Sequence, residues 1–452
     1  MANTYKHDLF VIGAGPGGYY AAISAAKKGM NVGIAEGNRL GGTCTNTGCI
    51  PTKTYLESVN LNNLFGKARR FGIEAQKTCI DLSSLYKRKK RIVDRLIKGI
   101  EYLLRQNNVT IYPSNAVFTG PNTIDIGGKI VEASNIIIAS GSRPKRPAML
   151  DVQGIWTSDE IFNATQLPES LIIIGGGAIG VEMAYVFEGL GTRVTVIEAM
   201  DRILPLEDEI VSGEIIRLNR KISFISNARI TKIQGDSPYK VSVSTHGGQE
   251  HIEAQNILLS IGREPVVPHG LDKTGIHLNP SGGIDVDDTM QSSTPGLYAI
   301  GDVTAEHMYA YTATKEAGVA VKNITGEHQS IDYSNIPSVI FTKPEIASVG
   351  KRLEEMDMSS LKQGSFPVSA LSRARTMEEN DGFANIYCSE SGTIERVTIM
   401  APHATELICW AGLAIRQGLT VEELLNAHVP HPTVAEIIKE ASEDLLGMCV
   451  HK

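Results

Sequence analysis

Residues 9–36 set two short apolar runs around a glycine-rich turn. Leu9 to Ile12 is an unbroken apolar run, the pattern of a strand buried on both faces. Gly13-x-Gly15-x-x-Gly18 follows, then an alanine-rich segment with helical spacing, and a second apolar run that ends at Glu36. The pattern returns in "LIIIGGGAIGVEMAYVFEGLGTRVTVIE". There Gly175-x-Gly177-x-x-Gly180 opens the helix, and Glu198 closes the second strand at the interval that separates Glu36 from Gly13. This strand–turn–helix–strand context is what a dinucleotide fingerprint requires. The first glycine makes the tight turn, the second lets the backbone approach a pyrophosphate, and the third lets the helix pack on the strand. The terminal acid can accept hydrogen bonds from a ribose.

Other elements follow from the same reading. "NIIIASGSRP" and "NILLSIGREP" are matching apolar strands broken by Gly, Arg and Pro, which suits points where a chain crosses between domains. "GLYAIGDV" is a short strand that delivers Asp302 at its end, within reach of a ribose or polyol hydroxyl. From about residue 335 the texture changes to the strands of "IPSVIFTKPEIASVG", "GFANIYCSE" and "ERVTIM" followed by helices, which predicts an α+β unit. The expected fold is α/β with two Rossmann-like dinucleotide-binding domains and a C-terminal α+β domain. The expected boundaries are 1–142 with 263–335, 143–262, and 336–452.

Length and charge narrow the classes. A chain of 452 residues suits about three domains of ~150 residues. A net charge of −7 gives no reason to expect nucleic acid or an anionic membrane as partner. The basic run at 87–91 lies in "LSSLYKRKKRIVDRLIKGIEYLL", whose apolar spacing predicts a long amphipathic helix with a solvated charged face. "MANTYKHD" runs straight into "LFVIG" without the regions of a signal peptide, and no stretch reaches ~18 uninterrupted apolar residues. A cytoplasmic location is the expectation, and there cysteine motifs tend to be catalytic or metal-binding.

Two dinucleotide sites imply two dinucleotides. Glu198 repels a 2′-phosphate and so favours NAD over NADP at the second site. Two nicotinamides have little to exchange, which leaves a flavin for the first. "LGGTCTNTGCIPTK" lies directly after the first fingerprint and carries Cys44 and Cys49. Zinc would need two more ligands, but Cys79, Cys388, Cys409 and Cys449 are scattered singly. A crosslink closing so short a loop constrains little of the unfolded chain. A redox pair beside a flavin uses both features. Its thiol chemistry needs a base, and His431, held before Pro432 with Glu436 nearby, is the suggestive histidine.

Together these motifs resemble the flavoprotein disulfide reductases, most closely the branch that oxidises dihydrolipoyl groups. The resemblance runs in register through "GGTCTNTGCIPTK", "ASGSRP", "IIGGGAIGVE", "VIEAMDRIL", "YAIGDV", "IPSVIFTKPEIASVG", "APHATELI" and "HPTVAE". It implies that Cys44 is the interchange thiol and Cys49 the charge-transfer thiol, with Lys53 near the flavin. It implies that Gly13, Gly15, Gly18, Glu36, Gly42, Thr43, Ala116, Asp302 and Met308 hold FAD. Gly175, Gly177, Gly180, Glu182, Glu198 and Gly262 would hold NAD. His431 and Glu436 would form the base and reach the other subunit of a homodimer, whose third domain is the dimerisation domain. A separate lipoyl-bearing carrier, within a 2-oxoacid dehydrogenase or glycine-cleavage type complex, would be the partner. The rival reading is an NADH-dependent reductase of another disulfide or of a metal ion; a non-catalytic scaffold would need none of the cysteines. Departures from the family pattern cluster on the substrate side, at Val429, Pro430, Tyr309-Ala310-Tyr311 and Leu371.

Overall fold

The computed structural model describes residues 4–76 and 78–452. The chain opens with strand β1 (Thr4–Ile12), helix α1 (Pro16–Lys27) and strand β2 (Val32–Ala35). Pro16 sits in the first turn of α1, where its missing N–H costs nothing, and Ala21, Ala22 and Ala25 let the helix lie close on the sheet. A short helix α2 (Gly42–Asn46) leads into α3 (Cys49–Gly66) and then the long α4 (Leu82–Gln106). Asp81 caps α4 by accepting from the amides of Ser83 and Ser84. Strands β3 (Thr110–Tyr112), β4 (Ala116–Gly120), β5 (Thr123–Ile126) and β6 (Lys129–Ile138) complete this segment. They form one sheet in the order β3-β2-β1-β6-β5-β4, with the β1, β2, β3 and β1–β6 pairs all parallel.

Strand β7 (Ser142–Pro144) leaves that sheet, and β8 (Trp156–Thr157), β9 (Ser170–Ile174), α5 (Ala178–Gly189) and β10 (Arg193–Ile197) follow. After α6 (Glu209–Leu218) come β11 (Ser223–Ile225), the antiparallel trio β12 (Arg229–Gln234), β13 (Tyr239–Thr245) and β14 (Gly248–Ala254), and β15 (Asn256–Leu259). The order β11-β10-β9-β15-β8 is a second parallel sheet, built on β9 as the first is on β1. Strand β16 (Arg263–Pro265) then pairs antiparallel with β7, so the two segments with matching Gly-Arg-Pro breaks lie side by side.

The chain next returns to the first sheet through β17 (Leu297–Ala299), which pairs with β6, and helix α7 (Ala310–Ile324) packs beside α1. The last unit comprises β18 (Ser338–Ile340), β19 (Glu345–Gly350), β20 (Lys362–Pro367), β21 (Phe383–Cys388) and β22 (Ile394–Ala401), which form an antiparallel sheet in the order β18-β19-β22-β21-β20. Helices α8 (Ser372–Thr376), α9 (Ala404–Arg416), α10 (Val421–Leu425) and α11 (Glu436–Leu445) accompany it. The fold is thus the expected α/β plus α+β arrangement. A buried ion pair, Arg396 to Asp208 at 2.8 Å, and the hydroxyls of Ser338 and Ser348 on Glu207 tie this unit to the start of α6.

Candidate active site

The two glycine turns are superimposable in their chemistry. Gly13 has φ +97°, and a Cβ there would lie 2.4 Å from the carbonyl oxygen of Ala139; at Gly18 it would lie 1.9 Å from that of Gly13. Gly175 has φ +106° and meets the Ser260 carbonyl oxygen at 2.5 Å, and Gly180 meets that of Gly175 at 2.0 Å. These positions admit only glycine because backbone occupies the space of a side chain. The terminal acids repeat too. Glu36 accepts from the amides of Ala14 and Asn38, both at 2.9 Å, and Glu198 accepts from those of Gly176 at 2.6 Å and Met200 at 2.8 Å. Each carboxylate staples its own turn to the end of the next strand while keeping lone pairs for a ribose.

Between the turns lie the thiols. Cys44 sits in α2, and Cys49 is the first residue of α3, with Lys53 one turn further on. The side chain of Asn46 donates to the carbonyls of Gly42 at 2.9 Å and Leu40 at 3.1 Å, holding the loop that carries Cys44. Both cysteines are free thiols here. The Cys44 thiol donates to Cys49, and that bond, with the Lys53 charge, brings Cys49 down to about 7. The position of Cys49 at a helix N-terminus favours the same thiolate. Cys44 is pushed up by the bond it donates and by burial, so it keeps its proton. The surroundings thus favour the thiolate at Cys49 over that at Cys44.

Lys53 is held in place from two sides. Its Nζ donates to both oxygens of Glu182, at 2.8 and 3.0 Å, and lies 4.1 Å from the centroid of the Phe341 ring. Glu182 also accepts from the Phe341 amide at 2.9 Å. The resemblance points Glu182 at NAD. In the structure its oxygens bond Lys53 and the Phe341 amide, and the residue also lines the cavity on the side of the second turn.

Asp302 follows β17, as the sequence leads one to expect. Ser142 Oγ donates to it at 2.5 Å, and Arg263 donates to Ser142 Oγ at 2.7 Å and to the Ser142 carbonyl at 2.8 Å. Nearby, buried Glu316 accepts from the Gly301 amide at 2.5 Å and from Tyr333 at 2.9 Å, and burial pushes its carboxyl up. Ser142, Arg263 and Phe341 line the cavity and were not singled out by sequence reasoning. Only the arginine of "GREP" carried any signal.

One cavity of about 2500 Å³ unites these groups. Its wall includes Gly13, Gly15, Glu36, Gly42, Thr43, Cys44, Cys49, Lys53, Ala116, Asp302 and Met308, and continues to Gly175, Gly177, Glu182, Glu198 and Gly262. Ordinary small-molecule pockets measure ~300–1,000 Å³, so this space suits more than one ligand. Tyr309 and Tyr311, two of the departures, also line it; their rings stack with centroids 5.1 Å apart, and the Tyr311 hydroxyl donates to the Pro337 carbonyl. Leu371, by contrast, is buried in the core of the C-terminal unit.

His431 and Glu436 are joined but stand apart from this wall. Glu436 accepts from His431 Nδ1 at 2.8 Å and from the Thr433 amide at 2.9 Å, which fixes the carboxylate and leaves Nε2 free. The imidazole is 68% exposed and is not part of the cavity within one chain. Among the described residues no group of His, Cys, Asp and Glu is arranged to hold a metal ion, and no helix is long and apolar enough to cross a membrane.

Comparison with known proteins agrees with this geometry. Residues 7–317 match the model of the pyridine nucleotide-disulphide oxidoreductases, and 336–442 match that family's dimerisation domain. The chain belongs to this family. Among curated relatives of this oxidoreductase, dihydrolipoyl dehydrogenase of Chlamydia pneumoniae is 37% identical, with 97% of each chain covered. That of Bacillus subtilis is 34% identical, with 99% of each covered. The crystal structure of LpdA from Mycobacterium tuberculosis superposes with a TM-score of 0.88 at 26% identity, covering 98% of this chain and 99% of that one. Oxidoreductases of this type use FAD and NAD(H). The residues present fit both groups. At Gly177 an added Cβ would meet nothing within 4 Å, and at Gly15 only the Gly42 Cα at 4.0 Å, so open space adjoins each helix N-terminus where a pyrophosphate approaches.

Proposed function

We propose that this protein is a dihydrolipoyl dehydrogenase that oxidises a dihydrolipoyl group borne by a separate carrier protein and reduces NAD⁺, acting as a homodimer in the cytoplasm. The carrying observation is that Cys44 and Cys49 lie in one cavity with both dinucleotide turns. The turn of Gly13, Gly15, Gly18 and Glu36, with Gly42, Thr43, Lys53, Ala116, Asp302 and Met308, would hold FAD. That of Gly175, Gly177, Gly180 and Glu198, with Glu182 and Gly262 on its side of the cavity, would hold NAD. When bound, FAD supplies the two-electron link between the thiol pair and the nicotinamide.

The residues of the chain account for the sulfur chemistry. In the oxidised protein Cys44 and Cys49 share a disulfide. His431 Nε2, oriented by Glu436, takes a proton from one substrate thiol. The resulting thiolate attacks Cys44 Sγ; the Cys44–Cys49 bond breaks, and Cys49 leaves as the thiolate that Lys53 and the α3 N-terminus stabilise. The second substrate sulfur, losing its proton, attacks the substrate sulfur bonded to Cys44 and closes the cyclic disulfide. Cys44 leaves with the electron pair and takes a proton from His431. One dithiol becomes a disulfide, one protein disulfide becomes a thiol and a thiolate, and one proton is released. The exposed His431, outside the cavity of its own chain, supports a site completed by the partner subunit.

The test is anaerobic turnover of dihydrolipoamide with NAD⁺, set against NADH-driven reduction of glutathione disulfide. Brisk turnover of the first supports the proposal. Negligible turnover of the first with rapid reduction of the second would overturn it.

A further inference from the structure

The long helix α4 presents a feature that the reaction does not use. It carries eight lysines and arginines against two acids, in a chain whose total charge is −7. Three of these cations have structural employment: Arg88 donates to the Thr54 carbonyl on α3 at 2.9 Å, Lys89 is buried with its Nζ 4.4 Å from the Tyr86 ring centroid, and Arg105 pairs with Glu101. The other five, Lys87, Lys90, Arg91, Arg95 and Lys98, are exposed. They line one shallow groove together with Asp94. Among the described residues none of the five lies within ion-pair distance of a carboxylate. Asp94, the one acid in the groove, is taken by Arg39 at 2.5 Å.

Arg39 makes the location informative, because it lines the cavity that holds Cys44 and Cys49. The stripe therefore runs up to the rim of that cavity, on a helix bonded to the helix that begins at Cys49. Unpaired like charges in a row raise the local potential, attract an oppositely charged partner over about a Debye length, and repel others.

We propose that this stripe of α4 is the docking surface for an acidic protein domain that presents the dithiol substrate at the cavity mouth beside Arg39. The identity of the carried group rests on the function proposed above; the charge of the carrier rests on the stripe alone. Docking of this kind raises kcat/KM through encounter and register and leaves the chemistry of a small, uncharged substrate untouched.

The test uses the intact FAD-loaded protein and three substrates: free dihydrolipoamide, a peptide with a dihydrolipoyl-lysine flanked by glutamates, and the same peptide with glutamines. At low ionic strength the glutamate peptide is expected to exceed the glutamine peptide by about tenfold or more in kcat/KM, an advantage that fades as salt rises. The variant Lys90→Glu/Arg91→Glu/Arg95→Glu should erase or invert that advantage while free dihydrolipoamide turns over as before. An advantage that is absent, or that persists in the variant, overturns the proposal. So does a change in oligomeric state of the variant on sedimentation, which would assign the stripe to a second copy of the chain. If the unaltered protein fails to turn over free dihydrolipoamide, the proposed reaction falls and takes this occupant with it.

Discussion

Replacing Lys53 with methionine tests the electrostatic reading of the thiol pair most directly. Methionine keeps the length and apolar stem of lysine and removes only the charge. Cys49 then loses the cation that favours its thiolate, and Glu182, buried and stripped of its partner, is left as an opposing negative charge. A single opposite charge at such range moves a titrating group by ~1–3 units. From about 7 in the unaltered protein, Cys49 should therefore titrate at ~8–10 in the variant. The sign follows from the direction of the shift. A lowered value means that thiolate dominates above pH 7 or so and is lost below it, and the variant carries that boundary upward. At pH 7 the thiolate fraction falls from about one half to ~0.1–10%. The rate of Cys49 alkylation by iodoacetamide in the reduced protein, measured against pH, reads this fraction. Lys53→Arg, which retains the charge, should stay near the unaltered profile. An unchanged inflection in Lys53→Met would refute the role given to Lys53 and leave the bond from Cys44 and the helix N-terminus as the whole cause.

Two further outcomes are expected. Gly180→Ala should lower thermal stability by ~1–3 kcal/mol, because its Cβ would land 2.0 Å from the Gly175 carbonyl oxygen, whereas Gly177→Ala faces open space and should melt normally while weakening NADH binding about tenfold; isothermal titration and melting curves separate the two. Coexpressed Cys44→Ser and His431→Ala chains, each inactive alone, should recover about a quarter of full dihydrolipoamide activity if each site combines two subunits. No recovery in isolated hybrid dimers would place the base in the chain of its own cysteines.

How much was legible in advance differed by the range of the interaction. The glycine turns could be read because a backbone passing within 2–3 Å of a missing side chain excludes every other residue, so the constraint is written in residue type at short spacing. The same holds for the Cys44–Cys49 segment, where loop, helix start and lysine lie within one short stretch. The acids closing β2 and β10 were legible in place, but not in their hydrogen bonds to the turns.

Longer-range partners left no such mark. Lys53 and Glu182 are 129 residues apart, and Ser142 and Asp302 are 160 apart. Nothing in the local pattern around Glu182 reveals its bonds to Lys53 and to the Phe341 amide. The sequence by itself determined the two dinucleotide turns, the order of the three units and the position of the thiols. Only the tertiary structure showed which carboxylate steadies Lys53, which hydroxyl and arginine meet at Asp302, and how the two turns and the thiols share one cavity. Local backbone geometry restricts residue identity directly. The meeting of distant side chains depends on packing, which many different sequences can satisfy.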